Sequence, residues 1–220
     1  MRAEIMSSTH LTLTDVHIRD ALRAYGVEAD PQLCEKIRVY ISTLLQWNAK
    51  ISLTTITQAR EILRVHFGES LFAASAAGIA DSRVADIGTG AGFPGIPIRM
   101  VLPGVQLTLI EAVGKKAAFL AEVLRKIDIH GVRIIRCRME DTPSDVTGFD
   151  FVTARALGRY DALLGWSKKR LSQSGKIALL LGKSEAERLS QEAKWHWEPL
   201  KLVPGSSARV VLVGSRGPIS

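Results

Sequence analysis

Along the first eighty residues, apolar and polar positions repeat at the helical period. Between Thr14 and Leu45 the residues Val16, Ile18, Ala21, Leu22, Leu33, Ile37, Tyr40, Ile41, Leu44 and Leu45 recur three and four apart, which predicts two amphipathic helices. Tyr25-Gly26 closes the first and Asp30-Pro31 opens the second, because glycine ends a helix at little steric cost and proline fits a first turn. Further helices are predicted from about Thr57 and from about Glu69 to Ala77. From Ser82 the pattern changes to short apolar runs over 83–87, 105–110, 132–137, 149–153, 176–181, 200–203 and 208–213, most of them separated by helical stretches. That alternation predicts an α/β fold with a mostly parallel, seven-stranded sheet. Only Pro204 to Ser207 separate the last two runs, too few residues for a crossover helix, so they pair as a hairpin and one strand runs antiparallel. The expected organisation is a helical extension over residues 1–69 followed by a Rossmann-like domain over 70–220.

Composition narrows the class. With 220 residues, 46% of them hydrophobic and 23% charged, the chain has ample material for a core, and disordered or fibrous readings fail. No apolar run approaches the roughly 18 residues that span a bilayer, and residues 1–14 carry no continuous apolar segment of the secretory kind. A cytoplasmic protein without membrane contact is expected. Cys34 and Cys137 stand far apart with no CxxC and no histidine pair nearby, which removes disulfide scaffolds and cysteine-rich zinc sites, and no metal is expected. The net charge of +7 sits in the last third, where 12 basic side chains face 5 acidic ones. The grouping of Arg155, Arg159, Lys168, Lys169 and Arg170 points toward a nucleic-acid partner, with a plain solvated surface as the alternative.

The first strand runs directly into Asp86-Ile87-Gly88-Thr89-Gly90-Ala91-Gly92-Phe93-Pro94-Gly95, and an apolar helical stretch follows. Glycines let a backbone turn sharply and approach a ligand closely. Dinucleotide sites space theirs as G-x-G-x-x-G, whereas here Gly88, Gly90 and Gly92 alternate behind an acid two positions upstream. Acid-x-Gly-x-Gly-x-Gly resembles the first motif of class I S-adenosylmethionine-dependent methyltransferases. Glu111 ends the second strand, where a carboxylate can accept hydrogen bonds from both ribose hydroxyls of a cofactor. Met139-Glu140, after the third strand, are placed to flank an adenine or simply to start a helix. A nicotinamide enzyme and a bare structural turn remain as rivals.

Absences bear on the target. Neither cysteine has the setting of a cytosine-C5 nucleophile, and Thr153-Ala154-Arg155-Ala156 stands where exocyclic-amine enzymes carry an Asn/Asp-Pro-Pro-aromatic turn. Guanine N7 fits such a site, because its in-plane lone pair attacks a sulfonium methyl group without a general base. His66 is accordingly read as structural or RNA-contacting, and Trp47 as a core anchor rather than a stacking platform. Arg155 at the sheet mouth is read as orienting cofactor or guanine, or else as paired with a carboxylate, and Lys115 and Lys116 as phosphate contacts or exposed surface.

Several segments together are more specific than the glycines: Trp47-Asn48-x-Lys50-Ile51-x-Leu53-Thr54, Arg64-Val65-His66-Phe67-x-x-Ser70, the run from Asp86 to Pro97, Gly114-Lys115-Lys116 with Phe119-Leu120, and Arg155-Ala156. Across nearly its whole length the chain resembles the bacterial small-subunit ribosomal RNA guanine-N7 methyltransferases, also called the glucose-inhibited division protein B family. The resemblance implies methyl transfer from S-adenosyl-L-methionine to one guanine of 16S ribosomal RNA, in the 530-loop region near the decoding site. It places cofactor contacts on Gly88, Phe93, Met139, Glu140 and Arg155, beside Gly90, Gly92 and Glu111, and the 16S RNA or the small subunit as partner of a monomer. Ser52, Glu69 and Leu181-Gly182 depart from the family's usual Asn, Asp and Lys-Gly. A class I methyltransferase for a small molecule or protein, and a non-catalytic cofactor- or RNA-binding module, are the competing functions.

Overall fold

The computed structural model describes residues 13–217. Helix α1 spans Asp15–Arg23, with the Thr14 hydroxyl and the His17 ring closing a capping box at its start. Helix α2 spans Pro31–Asn48, opened by the Asp30 carboxylate accepting the Leu33 amide at 2.7 Å, so the predicted Asp-Pro start is where it forms. The next two predicted helices are one continuous rod: α3 (Ala59–Glu61) passes through a π-helical stretch, Ile62–Gly68, into α4 (Glu69–Ala77), which Gly78 ends in the left-handed conformation. The widened turn carries no periodic mark of its own, which hid it from the sequence pattern.

Strands β1 (Arg83–Ile87), β2 (Gln106–Ile110), β3 (Arg133–Ile135), β4 (Phe149–Arg155) and β5 (Leu171–Gly182) form the parallel part of the sheet. After them come β6 (Trp195–Trp197), β7 (Lys201–Leu202) and β8 (Arg209–Arg216), giving the order β3-β2-β1-β4-β5-β8-β6, with β7 also on β8. β8 pairs antiparallel to β5 and forms the expected hairpin with β7. Among the described residues the strand count is eight rather than seven, because β6 adds three residues whose shortness left no alternating run to read. Helices α5 (Gly95–Val101), α6 (Gly114–Lys126), α7 (Tyr160–Arg170) and α8 (Lys183–Leu189) connect the strands.

Both faces of the sheet are covered, which explains why the central strands read as unbroken apolar runs. Val84, Leu107, Leu109, Ala178, Leu180, Val211 and Val213 point into a core shared with α1, α2, α4, α5 and α6. Their alternates Ala85, Ile110, Ile177, Leu179, Val210 and Leu212 point into a second core with α7 and α8. The N-terminal helices are therefore part of the first core, and Trp47 meets the ring of Phe119 on α6 at 5.9 Å. Among the described residues no helix is long and apolar enough to cross a membrane, and no group of three or more His, Cys, Asp or Glu could hold a metal ion.

Candidate functional site

Register assembles the site. Ile87 pairs with Ile110 on one side and with Ala154 on the other, so the residues just after β1, β2 and β4 emerge side by side at one edge. In open α/β sheets ligands bind at this carboxyl edge, where strand order reverses. Here the order reverses between β1 and β4. A cleft of about 260 Å3 lies there, with Gly88, Glu111, Cys137, Met139, Glu140 and Leu157 among its lining residues. Four predicted cofactor residues, Gly88, Glu111, Met139 and Glu140, thus share one cavity.

The glycine loop is held from within. Buried Asp86 accepts the Thr89 hydroxyl at 2.6 Å and the Gly95 amide at 2.9 Å through one oxygen, and the Thr153 hydroxyl at 3.0 Å through the other. Burial pushes its carboxyl up to about 6, against the lowering effect of those donors. The acid of the motif is thus a brace between β1, the loop, α5 and β4. Glu111, also buried, accepts the Gly90 amide at 2.9 Å and the Val113 amide at 2.8 Å, one on each oxygen. Each oxygen keeps a lone pair for a further hydroxyl donor. Gly88 has φ +62°, a conformation that side chains rarely adopt, and an added Cβ, 2.6 Å from Leu157 Cδ1, would also displace that methyl group.

These bonds also decide the kind of ligand. The amides of Gly88, Gly90, Gly92, Phe93 and Gly95 all donate inside the loop or to the adjoining strand ends. A pyrophosphate at a dinucleotide site needs such amides free and pointing at it. The loop therefore offers shape and a neighbouring carboxylate rather than an anion cradle. Apolar Ile87, Ile110, Met139 and Leu157 with the Glu111 carboxylate suit a flat base and a ribose diol, and so fit an adenosyl group.

The helical extension supports the loop from behind. Tyr40 on α2 is fully buried, donates to the Ala91 carbonyl at 2.5 Å, and stacks on Phe93 with centroids 5.4 Å apart. Gly92 is confined by this contact, since an added Cβ would come within 2.5 Å of the Tyr40 oxygen. Phe93, expected at the cofactor, lies instead between Tyr40 and His66, whose ring stacks on it at 4.7 Å. His66 bonds Thr54 Oγ1 at 2.8 Å through Nε2, and its buried Nδ1 has no partner. Burial, then Arg155 and Arg209, lowers its pKa to about 3, so it is neutral and a weak base at neutral pH.

Arg155 is not among the residues lining the cleft. It donates to the Val65 carbonyl at 3.2 Å and pairs with Glu69 at 3.3 Å, so the carboxylate alternative describes its contacts. Burial lowers its pKa to about 10, with Glu69 raising and Arg209 lowering it. Glu69 also holds Arg209 at 3.0 Å and so links β4, β8 and the start of α4.

The predicted basic residues separate. Arg159 lines the cleft and pairs with Glu140 at 2.5 Å. Lys115 and Lys116 occupy the first turn of α6, directly after the strand end carrying Glu111. Lys168, Lys169 and Arg170 end α7, immediately before the first residue of β5, and lie at the opposite edge of the sheet. Arg170 is spent on the carbonyls of Thr142, Pro143 and Val146, and Lys168 lies over the Trp195 ring at 5.9 Å. Sequence reasoning missed Arg136 and Arg138, whose alternation out of β3 puts Arg138 in the cleft wall and Arg136 against Gly114. Cys137, between them, is half-buried and also lines the cleft.

Among solved structures the fold is similar to a precorrin-6y C5,15-methyltransferase from Geobacter metallireducens, with TM-score 0.57 at 15% identity over 76% of this chain and 91% of that one. It is likewise similar to a SAM dependent methyltransferase from Aquifex aeolicus, with TM-score 0.58 at 16% identity over 70% and 92%. By sequence the chain is 35% identical over 172 residues to the ribosomal RNA small subunit methyltransferase G of Desulfitobacterium hafniense, covering 77% of this chain and 71% of the relative. It is 32% identical over 197 residues to that of Myxococcus xanthus, covering 88% and 89%. The family model described as rRNA small subunit methyltransferase G matches residues 33–204, so the architecture, the loop and the sequence agree: the chain belongs to the rRNA small subunit methyltransferase G (GidB) family.

Proposed function

We propose that the protein transfers a methyl group from S-adenosyl-L-methionine to N7 of one guanine in 16S ribosomal RNA, in the loop near the decoding site that the resemblance implies. The fold and the family indicate that cofactor. The observation that carries the reading is the convergence of Gly88, Glu111, Met139 and Glu140 on one cleft whose loop amides are already satisfied. When bound, S-adenosylmethionine supplies an electrophilic sulfonium methyl group. Glu111 would hold the ribose hydroxyls, Met139 and Ile110 would enclose the base, and Gly88 would leave room for the rest.

Both carboxylates that line the cleft are engaged, Glu140 by Arg159 at 2.5 Å. Glu111 is occupied by two amides, and His66 is neutral, turned toward Thr54 and stacked on Phe93. This suits an acceptor with a lone pair and no proton, for which the protein's work is alignment, worth about 7–11 kcal/mol when the reacting atoms are held in line. The RNA would lie over the cleft mouth, against Lys115, Lys116, Arg136, Arg138 and Arg159. Lysines in the first turn of a helix oppose its dipole, so Lys115 and Lys116 suit a phosphate better than they suit the helix. The helical extension would stiffen the cofactor loop through Tyr40 on α2.

Transfer of tritium from labelled cofactor to naked 16S RNA, free small subunits and assembled ribosomes tests the reading, with borohydride and aniline cleavage locating the product. Strand scission at a single guanine is expected. Cofactor binding without transfer to any of the three leaves only a binding module, and label resistant to aniline removes N7 as the target.

A further inference from the structure

A second cavity, of about 410 Å3, opens at the same sheet edge and has Ala156, Gly158, Tyr160, Leu181, Glu185 and Arg209 among its lining residues. It shares a wall with the cofactor cleft. Leu157 and Arg159 face the cleft, while Ala156, Gly158 and Tyr160 face the second cavity. An unusual backbone makes that alternation: Ala156 has φ +52° and Gly158 φ +71°, and the Leu157 amide donates to the Tyr160 hydroxyl at 3.3 Å. A residue with a Cβ rarely adopts the left-handed region, and such conformations gather where a site needs them.

The polar groups of the cavity are one cation, one anion and one hydroxyl. Arg209 enters from the first residue of β8, opposite Gly182, with Glu69 holding it at 3.0 Å and its side chain 35% exposed. Glu185 enters from α8 and is pinned by Arg188 at 2.9 Å. Tyr160 lines the same cavity: burial raises its hydroxyl pKa most, the Leu157 amide lowers it, and the charges of Glu185 and Arg209 then raise and lower it in turn.

That set is complementary to one edge of one base. The Watson–Crick edge of guanine presents an acceptor, O6, beside two donors, N1–H and the N2 amine. A guanidinium matches the first and a carboxylate the other two. Adenine presents a lone pair at N1, which a carboxylate repels. N7 lies on the far side of the purine from N1 and N2, so a guanine read at this edge turns N7 toward the shared wall and the cleft behind Leu157. The cavity admits a base only once it has left its stack.

We infer that this cavity is the acceptor pocket, in which Glu185 and Arg209 read the Watson–Crick edge of a guanine and leave N7 facing the cofactor. The inference rests on the methyl-transfer reading above. Its test compares small-subunit RNA carrying guanosine at the methylated position with the same RNA carrying inosine there, made by splinted ligation; inosine lacks only the N2 amine. Wild-type enzyme should prefer guanosine by about 10-fold or more, the worth of one hydrogen bond to a charged group. Glu185→Gln should lower kcat/KM on the guanosine RNA by about 10- to 100-fold and bring the guanosine-to-inosine ratio close to one, with cofactor affinity unchanged by calorimetry. Equal wild-type rates on the two RNAs, or a Glu185→Gln enzyme that still discriminates fully, overturn the pocket while the methyl-transfer reading stands. Wild-type enzyme that labels neither RNA overturns both.

Discussion

His66 makes the fold sensitive to acid, and the effect can be worked from its surroundings. The ring is buried, its Nδ1 has no partner, and two guanidiniums lie near, so its pKa falls from 6.5 to about 3 on folding. A histidine depressed in this way contributes stability that is fully present above pH 6.5 and is lost as pH falls toward 3, because only the unfolded chain takes up the proton. Integrated over the whole shift the loss is about 5 kcal/mol, of which about 2 kcal/mol is reached by pH 5. Asp86 works in the opposite sense. Its pKa rises from 3.8 to about 6, so its contribution is greatest below pH 3.8 and disappears as pH rises through 6, a cost of about 3 kcal/mol at pH 7. Wild-type stability alone therefore mixes the two. Urea unfolding of wild type and His66→Gln at pH 7.5 and pH 5 separates them, since Asp86 is common to both proteins. The variant loses the stacking on Phe93 at every pH, but its deficit should shrink by about 2 kcal/mol on acidification. A deficit of the same size at both pH values would refute the reasoning and show that His66 can take a proton in the folded chain.

Gly88→Asp should abolish cofactor binding in calorimetry, because the new side chain meets Leu157 and forces a left-handed backbone at φ +62°; unchanged affinity sinks the loop assignment. Tyr40→Phe leaves the Ala91 carbonyl without its donor, at about 1–3 kcal/mol, so a thermal melt should shift down by roughly 2–10 °C and cofactor affinity should fall with it. An unshifted melt would mean the helical extension does not support the loop. Replacing Arg136, Arg138 and Arg159 together by Gln should flatten the salt dependence of RNA binding by up to three phosphate contacts, whereas replacing Lys168, Lys169 and Arg170 should leave that slope in place. The reverse result would put the RNA on the opposite edge of the sheet.

Local chemistry was enough to read much of this protein from its residues. The period of the apolar positions, the Asp30-Pro31 start, the alternating strands and the Gly88-Gly90-Gly92 turn each depend on neighbours a few positions apart, and each stands where the pattern put it. Glu111 was legible for the same reason, since the end of one strand is set by the run before it. Distance along the chain limited the rest. That Asp86 is a brace depends on Thr153, that Phe93 is shielded depends on Tyr40 and His66, and that Arg155 is taken up by Glu69 depends on a π-helical turn with no periodicity. The basic cluster is the clearest case: Arg155, Arg159 and Lys168 to Arg170 are close in sequence, yet α7 runs antiparallel to the strands and carries the last three to the far edge. Side-chain type fixes what a residue can do, but only the packing of helices on a twisted sheet decides which residues meet.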